Sequence, residues 1–484
     1  MSIGPVLRLE LAHLARQRFT WLVLVALFAA MLVGGAVGAN RVAAERAMIE
    51  RAAQAEANTI AEAKAATELY GKPGDFEVAQ FRDPTDAYGY MYNFFTGYSV
   101  RQPAPLAALT IGQSDNYPSA IRVNFSDPFP DNAHELKSPR MLALGTFDLG
   151  FVLVFLLPLA VIALCGTRLA SEQDAGILRM IASAPIEPRR VAVAKFGALA
   201  IILMPITAVT TVVALLTTGA VTLSASTASL AMVALLTSLH ALFWIAASAL
   251  AVSLWRGAVG ALAALVISWA ALSVLLPSLA SLALSAAVPA PSRIAYVEES
   301  RAAADAIAAD SDSAMRWLAS LPGSAKWKPE IVESSEVGRL SAQRLLRSAL
   351  AERQEAFATH ALDTEKLAER FRVISPSLIF GGALQHLAGT DARSQRRFVE
   401  SADAHAESLR SWFEPRVLAN IGAEQPCAQC PGRLNFAQYD EVPRSAPLSA
   451  ILSWSDLWMA VVYLLVVIVA TGIVAATRFG RWPS

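Results

Sequence analysis

The chain alternates between long apolar runs and long charged stretches, and this pattern predicts a membrane protein. Six apolar runs reach the length of about 20 residues that a helix needs to cross roughly 30 Å of hydrocarbon. They occupy residues 19–39, 147–167, 196–218, 228–254, 257–288 and 454–477. The first run is too long for the apolar core of a cleavable signal peptide and leads into a charged helix. It is therefore expected to remain as a span.

Two of the connecting segments are long, and both are expected to be mainly helical. Residues 40 to 70 are rich in Ala, Glu, Arg and Lys and lack Pro and Gly. This composition favours a helix that continues from the first span. The second long segment, residues 289–453, contains two charged, Ala-rich stretches with few helix breakers, 329–371 and 391–421. Helical structure is predicted for both stretches.

Composition supports the membrane assignment, and charge gives the orientation. Of the 484 residues 55% are hydrophobic and 17% are charged, which is too apolar for a soluble protein. The net charge is zero, but the short segments carry eleven basic residues against four acidic ones. Basic residues in short loops stay in the cytoplasm. The cytoplasmic segments are therefore residues 1–18, 168–195, Arg256 and 478–484, and the extracytoplasmic ones are 40–146 and 289–453.

The predicted fold is an all-α polytopic membrane protein with six transmembrane helices and two mainly helical extracytoplasmic domains. Both chain ends are predicted to be cytoplasmic. Residues 1–18 place Leu7, Leu11 and Leu14 on one helical face, which favours an interfacial helix on the inner leaflet. An ordinary basic flank of the first span is the alternative. Residues 478–484 are expected to form a short cytoplasmic tail.

The span interiors argue against an ion-coupled carrier. They contain no Asp, Glu, Lys or Arg, since Asp148 and Asp456 lie at the outer ends. Ion-coupled carriers usually need ionisable residues within the membrane. His240 is the titratable group at depth, and we interpret it as a neutral histidine hydrogen-bonded across helices, with a proton relay as the alternative. Pro205 and Pro277 predict kinks.

Motifs for enzymatic chemistry are missing from the sequence. It contains no GxxxxGK[ST] phosphate loop, no HExxH and no Ser/His/Asp pattern at a recognisable spacing. The chain is therefore predicted to have no catalytic residues, no cofactor and no metal of its own. ATP hydrolysis by a phosphate loop would require another chain.

A charged segment between the second and third spans, residues 168–195, carries the most specific motif. Glu172, Gly176 and Leu178 are followed by Pro185 and then by Lys195 at the start of the next span. This spacing resembles the signature of ABC-2 type transporter permeases. In that family the segment forms a helix that docks onto a separate ATPase subunit, which holds the ATP and Mg²⁺. The resemblance implies a coupling loop at 168–195.

The resemblance also implies which residues of this loop couple to the ATPase. They are Glu172, Gly176, Ile177, Leu178, Arg179 and Ile181. The apolar members would enter a groove of the partner, while the charged ones would lie at its rim. Ile177 departs from the threonine that the family usually has there. An interfacial helix that only caps the bundle is the alternative.

Three further stretches, residues 107–115, 374–376 and 387–391, are similar to a bacterial subgroup of ABC-2 permeases with two large extracytoplasmic insertions. The resemblance implies the permease subunit of an ATP-driven exporter in the inner membrane. Its expected partners are two ATPase subunits, a second permease copy or paralogue, the lipid bilayer and a periplasmic protein, but no nucleic acid. The alternative function is a membrane subunit that transmits ATP-driven motion to periplasmic partners without moving a substrate.

Two features of the extracytoplasmic segments remain open. Eight aromatic residues lie between Phe76 and Tyr98 and predict the core of a small lobe, with a binding surface as the alternative. Cys427 and Cys430 form a CxxC pattern in an oxidising compartment. A local disulfide is the first interpretation, and a redox-active dithiol or a Cu(I) site are the others.

Overall fold

The computed structural model describes residues 3–70, 82–112, 118–123, 125, 146–166, 188–219, 221, 227–255, 257–321, 334–421, 434, 438–448 and 451–480. These residues are mostly helical, which confirms the predicted all-α polytopic class. The helices in chain order are α1 (Ile3–Arg16), α2 (Arg18–Tyr70), α3 (Ala87–Gly89), α4 (Leu149–Cys165), α5 (Pro188–Thr217), α6 (Thr227–Leu254), α7 (Ala258–Ala287), α8 (Arg293–Ala309), α9 (Ser313–Ala319), α10 (Ser335–Ala349), α11 (Ala351–Arg372), α12 (Pro376–Ala388), α13 (Ala392–Ile421), α14 (Gln438–Glu441) and α15 (Trp454–Phe479). Two short strands, β1 (Gly97–Val100) and β2 (Ala120–Val123), pair antiparallel.

The apolar helices form one bundle around α6. Among the described residues, α2, α5, α6, α7 and α15 are long and apolar enough to cross a membrane, and α4 is a shorter apolar helix. The central helix α6 packs against α4, α5, α7 and α15 and buries Trp244 completely. Outward-facing apolar side chains such as Val259, which is 83% exposed, form the lipid-facing surface expected of a membrane bundle.

Two glycines let α2 approach other backbones closely. A Cβ at Gly34 would lie 2.7 Å from the Asp148 carbonyl, and a Cβ at Gly38 would lie 2.0 Å from the Ala108 carbonyl oxygen. Only glycine fits at such distances. These contacts lie at the end of the bundle from which both long insertions extend, here called the insertion end.

Both insertions contribute to one hydrophobic core beyond the insertion end. Aromatic rings of the first insertion pack on rings of the second, with centroid distances of 5.0 Å for Tyr90 and Tyr439 and 5.4 Å for Phe95 and Phe413. The far half of α2 adds Ala63. Five of the predicted aromatic residues, Tyr88, Tyr90, Tyr92, Phe94 and Phe95, therefore belong to this core or pack against it, while Tyr98 does not, and Phe76 and Phe81 lie outside the described residues. We call this shared body the outer body.

Candidate functional site

Helix α12 of the second insertion packs into the insertion end of the bundle. It contacts α6, α7 and α15 as well as the start of α4. Its Phe380 is completely buried and stacks on His240 of α6, with ring centroids 4.2 Å apart and planes 10° from parallel. The sequence explains the length of this helix. Ser375 caps its start, Pro376 follows, and Gly389, with φ of 65°, ends it.

His240 is held in a neutral form by its neighbour. The indole Nε1–H of Trp244 points at His240 Nε2 at 3.3 Å, and since an indole can only donate, this ring nitrogen accepts. The predicted neutral histidine is therefore present, but its hydrogen bond runs one turn along the same helix. Its contact across helices is the ring stack with Phe380.

Two spans change to a π-helical turn beside α12. The turns cover Val152–Leu156 in α4 and Ala271–Leu275 in α7, and both contact α12. Each is followed by a Leu-Pro pair, so the sequences VLVFLLP and ALSVLLP match in spacing. The two spans run in opposite directions, because α4 leaves the insertion end and α7 returns to it. Single π turns are common at functional sites.

The prolines leave backbone carbonyls that neighbouring side chains satisfy. In the α7 turn, Leu276 N–H donates to the carbonyl of Ala271, five residues back. The next donor in this register would be Pro277, which has no N–H, and the Ser375 hydroxyl donates to the Leu272 carbonyl instead, at 2.6 Å. The start of α12 thus satisfies a carbonyl that Pro277 leaves open in α7.

The α4 turn is supported in a similar way. In the same register Pro158 would be the donor to the Leu153 carbonyl, and the His240 ring lies beside the next carbonyl, that of Val154. The Trp269 indole of α7 donates to the Phe155 carbonyl at 3.1 Å. The two π turns, α6 and α12 therefore form one contiguous arrangement.

A loop of the first insertion fixes the start of α4. The Asp148 carboxylate caps α4 by accepting from Phe151 N–H at 2.6 Å, and it also accepts from Ile111 N–H at 2.7 Å and from the Thr110 hydroxyl at 3.1 Å. Gly112, with φ of 51°, lies against Thr390. Parts of two stretches on which the subgroup resemblance rests, 107–115 and 387–391, are thereby brought together.

The end of α12 is tied to the start of α15 through His386. Its Nδ1 and Asp391 Oδ2 are 2.8 Å apart, and its Nε2 accepts from Ser453 N–H at 2.9 Å. Since the backbone amide must donate, Nε2 is the unprotonated nitrogen and Nδ1–H donates to the carboxylate. Both ends of α12 are therefore anchored by polar contacts to the spans.

Two cavities flank α12. One of about 350 Å³ lies between α4, α7 and α12, and one of about 300 Å³ lies between α11, α12 and α15. The second contains a charged cluster in which Arg393 pairs with Glu365, Glu369 and Asp456 at 2.6 to 3.2 Å. Arg372 lines both cavities.

The predicted coupling residues Glu172, Gly176, Ile177, Leu178, Arg179 and Ile181 lie outside the described residues. The same is true of Cys427 and Cys430. The motif's Lys195 is described: it is 9% exposed and its ammonium pairs with the Glu10 carboxylate. Helix α1 packs on α5, with Leu14 buried and Arg8 and Arg16 exposed.

The inserted helix α12 was missed by the sequence analysis. A signal exists, because residues 376–388 form an apolar run of 13 residues between two charged helices. Such a run is too short to span a bilayer and is typical of re-entrant segments or buried helices. The repeated Leu-Leu-Pro endings of the two π turns were a second signal.

The apolar bundle, with a helix of its own insertion packed into one end, defines a polytopic membrane protein with an internal closure. The family model for ABC-2 family transporter proteins matches residues 5–481, and the chain belongs to this family. It is thus a permease subunit of an ABC transporter. No curated protein matches the chain.

Proposed function

We propose that this permease works as an exporter driven by ATPase subunits that are separate chains. The absence of a phosphate loop from the sequence supports a separate motor. The complete assembly would contain two ATPase subunits and a second permease copy or paralogue. It would lie in a bacterial inner membrane with both chain ends in the cytoplasm, in keeping with the basic short segments.

The ATPase would dock on the loop 168–195 through Glu172, Gly176, Ile177, Leu178, Arg179 and Ile181. Helix α5 supports this proposal because it begins at Pro188, within the last part of that loop, and runs to Thr217 with Pro205 in its interior. The Lys195–Glu10 ion pair joins the base of α5 to α1. A displacement of the loop would therefore move two packed helices together as a rigid unit.

The observation that carries the export proposal is the closure of the insertion end by α12. This helix contacts four spans, and its anchors are polar contacts that can exchange with water. Moving α12 away would open a path between spans whose interiors hold no charged residue. A lipid-like or amphipathic substrate that enters from the bilayer fits such walls.

Coupling is tested with Glu172→Ala and Gly176→Pro in the complex with its ATPase. Both variants are expected to insert normally and to lower substrate-stimulated ATP turnover by about tenfold, within the usual range of coupling energies. The matched control is Glu187→Ala, another acidic residue of the same loop. If the two variants hydrolyse ATP and transport as well as the parent protein, the docking assignment is wrong.

A second function is favoured by the continuity between bundle and outer body. Helix α2 runs through 53 residues from the first span into the outer core. It could carry ATP-driven motion to a periplasmic partner without moving a substrate. Reconstituted vesicles distinguish the two functions: ATP turnover that responds to a periplasmic partner, while no candidate substrate crosses, would reject the exporter.

A further inference from the structure

The cavity between α4, α7 and α12 is lined by both apolar and polar groups. Phe151, Val154, Phe155 and Leu378 provide apolar surface, while Arg372 and Gln385 provide polar groups. Its volume of about 350 Å³ lies in the range of about 300 to 1,000 Å³ that is typical of small-molecule sites. The lining therefore suits a ligand with one apolar and one polar part.

An aromatic ladder leads from the surface of α4 into this cavity. The ring of Phe147, two residues before α4, lies 5.4 Å from that of Phe151, which lies 4.9 Å from that of Phe155 one turn further on. Phe147 is 40% exposed, while the other two line the cavity. An acyl chain or a ring system could follow this ladder from the edge of the bundle.

Arg372 gives the cavity a positive charge that lacks a counterion. Within the described part of the chain no carboxylate lies within ion-pairing distance of its guanidinium, and the nearby Glu365, Glu369 and Asp456 pair with Arg393. The carboxylate of Asp148, which also lines this cavity, accepts from backbone and hydroxyl donors. A half-buried guanidinium without a partner favours an anionic ligand.

A glycine of α12 makes room for this guanidinium. A Cβ at Gly382 would lie 3.0 Å from Arg372 Nε and 3.1 Å from Cζ. The side chain of Arg372 therefore crosses the backbone of α12 and borders the cavities on both of its sides. The cation therefore shares the cavity between α4, α7 and α12 with the apolar lining residues.

We propose that this cavity binds an anionic amphiphile. A phosphate or carboxylate headgroup would pair with Arg372, since a guanidinium binds either group in a bidentate manner. The apolar part would lie against Phe151 and Phe155. This binding goes beyond the proposed export function, because such a site can hold a ligand whether or not the ligand is transported.

The test uses the full chain in nanodiscs of phosphatidylcholine, with the binding of fluorescent phosphatidylglycerol as readout. Phosphatidylglycerol is expected to bind at least about tenfold tighter than labelled phosphatidylcholine, a difference of about 1.4 kcal/mol. Arg372→Gln should abolish this preference, and Arg372→Lys should retain part of it. Arg370→Gln, which changes an exposed arginine of the same helix, should leave it intact.

Two further measurements complete the test. Phe151→Ala should weaken the binding of phosphatidylglycerol while sparing the folded state, which is checked by thermal unfolding. Inorganic phosphate should compete only at far higher concentration than the lipid. The proposal is overturned if phosphatidylcholine binds as tightly as phosphatidylglycerol, if Arg372→Gln keeps the preference, or if inorganic phosphate alone binds as tightly as the lipid.

Discussion

At the scale of single residues, Asp391 orients the histidine that ties α12 to α15. Burial alone would raise the pKa of Asp391, but hydrogen bonds from His386 and Ser394 outweigh burial and lower this pKa to about 2. The carboxylate thus stays ionised and accepts the Nδ1–H of His386. That arrangement leaves Nε2 free to accept from Ser453 N–H.

Replacing Asp391 by Asn should therefore destabilise the protein in a pH-dependent way. A carboxyl whose pKa is lower in the folded state contributes stability above its unfolded pKa of about 4, and this stability is lost as the pH falls through about 2. Asp391→Asn is expected to cost roughly 2 kcal/mol at pH 7. Thermal unfolding in detergent at pH 7 and pH 3 measures the difference, which should shrink at the lower pH.

The control for this experiment is Asp305→Asn, which changes an exposed carboxylate on α8. It should leave the unfolding temperature unchanged at both pH values. An equal loss of stability for Asp391→Asn at pH 7 and pH 3 would show that the ionised carboxylate is not what supports His386.

At the scale of elements, α12 rests on irregular turns. A π turn followed by proline leaves a carbonyl without its backbone donor, and in α7 the Ser375 hydroxyl provides that donor, while the Trp269 indole of α7 donates to the Phe155 carbonyl of the α4 turn. Such hydrogen bonds can be exchanged for water more readily than a continuous helical ladder can. The two π turns are therefore the places where α4 and α7 can release α12.

A pair of engineered cysteines tests whether α12 must move. A Cβ at Gly381 would lie 3.6 Å from Val154 Cγ2, which suits a disulfide between Gly381→Cys and Val154→Cys. In a background without the three native cysteines, oxidation should block transport and reduction should restore it. Vesicle transport before and after reductant is the measurement.

Each single cysteine variant is the control for this pair and should transport under oxidising conditions. Full transport by the cross-linked protein would mean that α12 stays packed in the bundle during the transport cycle. The closure would then be a structural element and no part of the exit path.

The elements differ in how far the sequence predicts them. Long apolar runs predict the spans, because a bilayer requires continuous apolar surface over a fixed length. The run 376–388 is too short to be identified as a span. A short apolar segment can lie in several environments, and in the structure this one packs against other helices. The π turns also depend on tertiary contacts, as one carbonyl in each turn accepts from a side chain elsewhere in the chain. The coupling residues around Glu172 stay a prediction.

At the scale of the whole molecule, the outer body joins segments that four spans separate in the chain. Tyr90 and Phe95 meet Phe413 and Tyr439 in its core. The aromatic residues of the first insertion predict a hydrophobic core. The segment is irregular, so its sequence has no periodicity that would show which other segment of the chain packs against it. The two insertions consequently form one body, through which motion of either attachment point reaches the other.

Helix α2 is the longest connection between this body and the bundle. Its 53 residues span about 80 Å at 1.5 Å per residue. We predict that Ala53→Pro, at an exposed position of α2, breaks this rod at a cost of about 3 kcal/mol or more. The bundle and the outer core should still fold, because each has its own buried residues. The ATP-driven change in distance between spin labels at Arg16 and Arg301, measured in the ATPase complex, should become smaller.

Ala53→Gly is the matched control, because glycine keeps the backbone N–H and costs only about 1 kcal/mol in a helix. It should preserve most of the ATP-driven distance change. If Ala53→Pro preserves it equally, α2 does not carry the motion, and the contact between His386 of α12 and Ser453 before α15 is another connection through which it can pass. The comparison of the two variants therefore decides which helix carries movement out of the membrane.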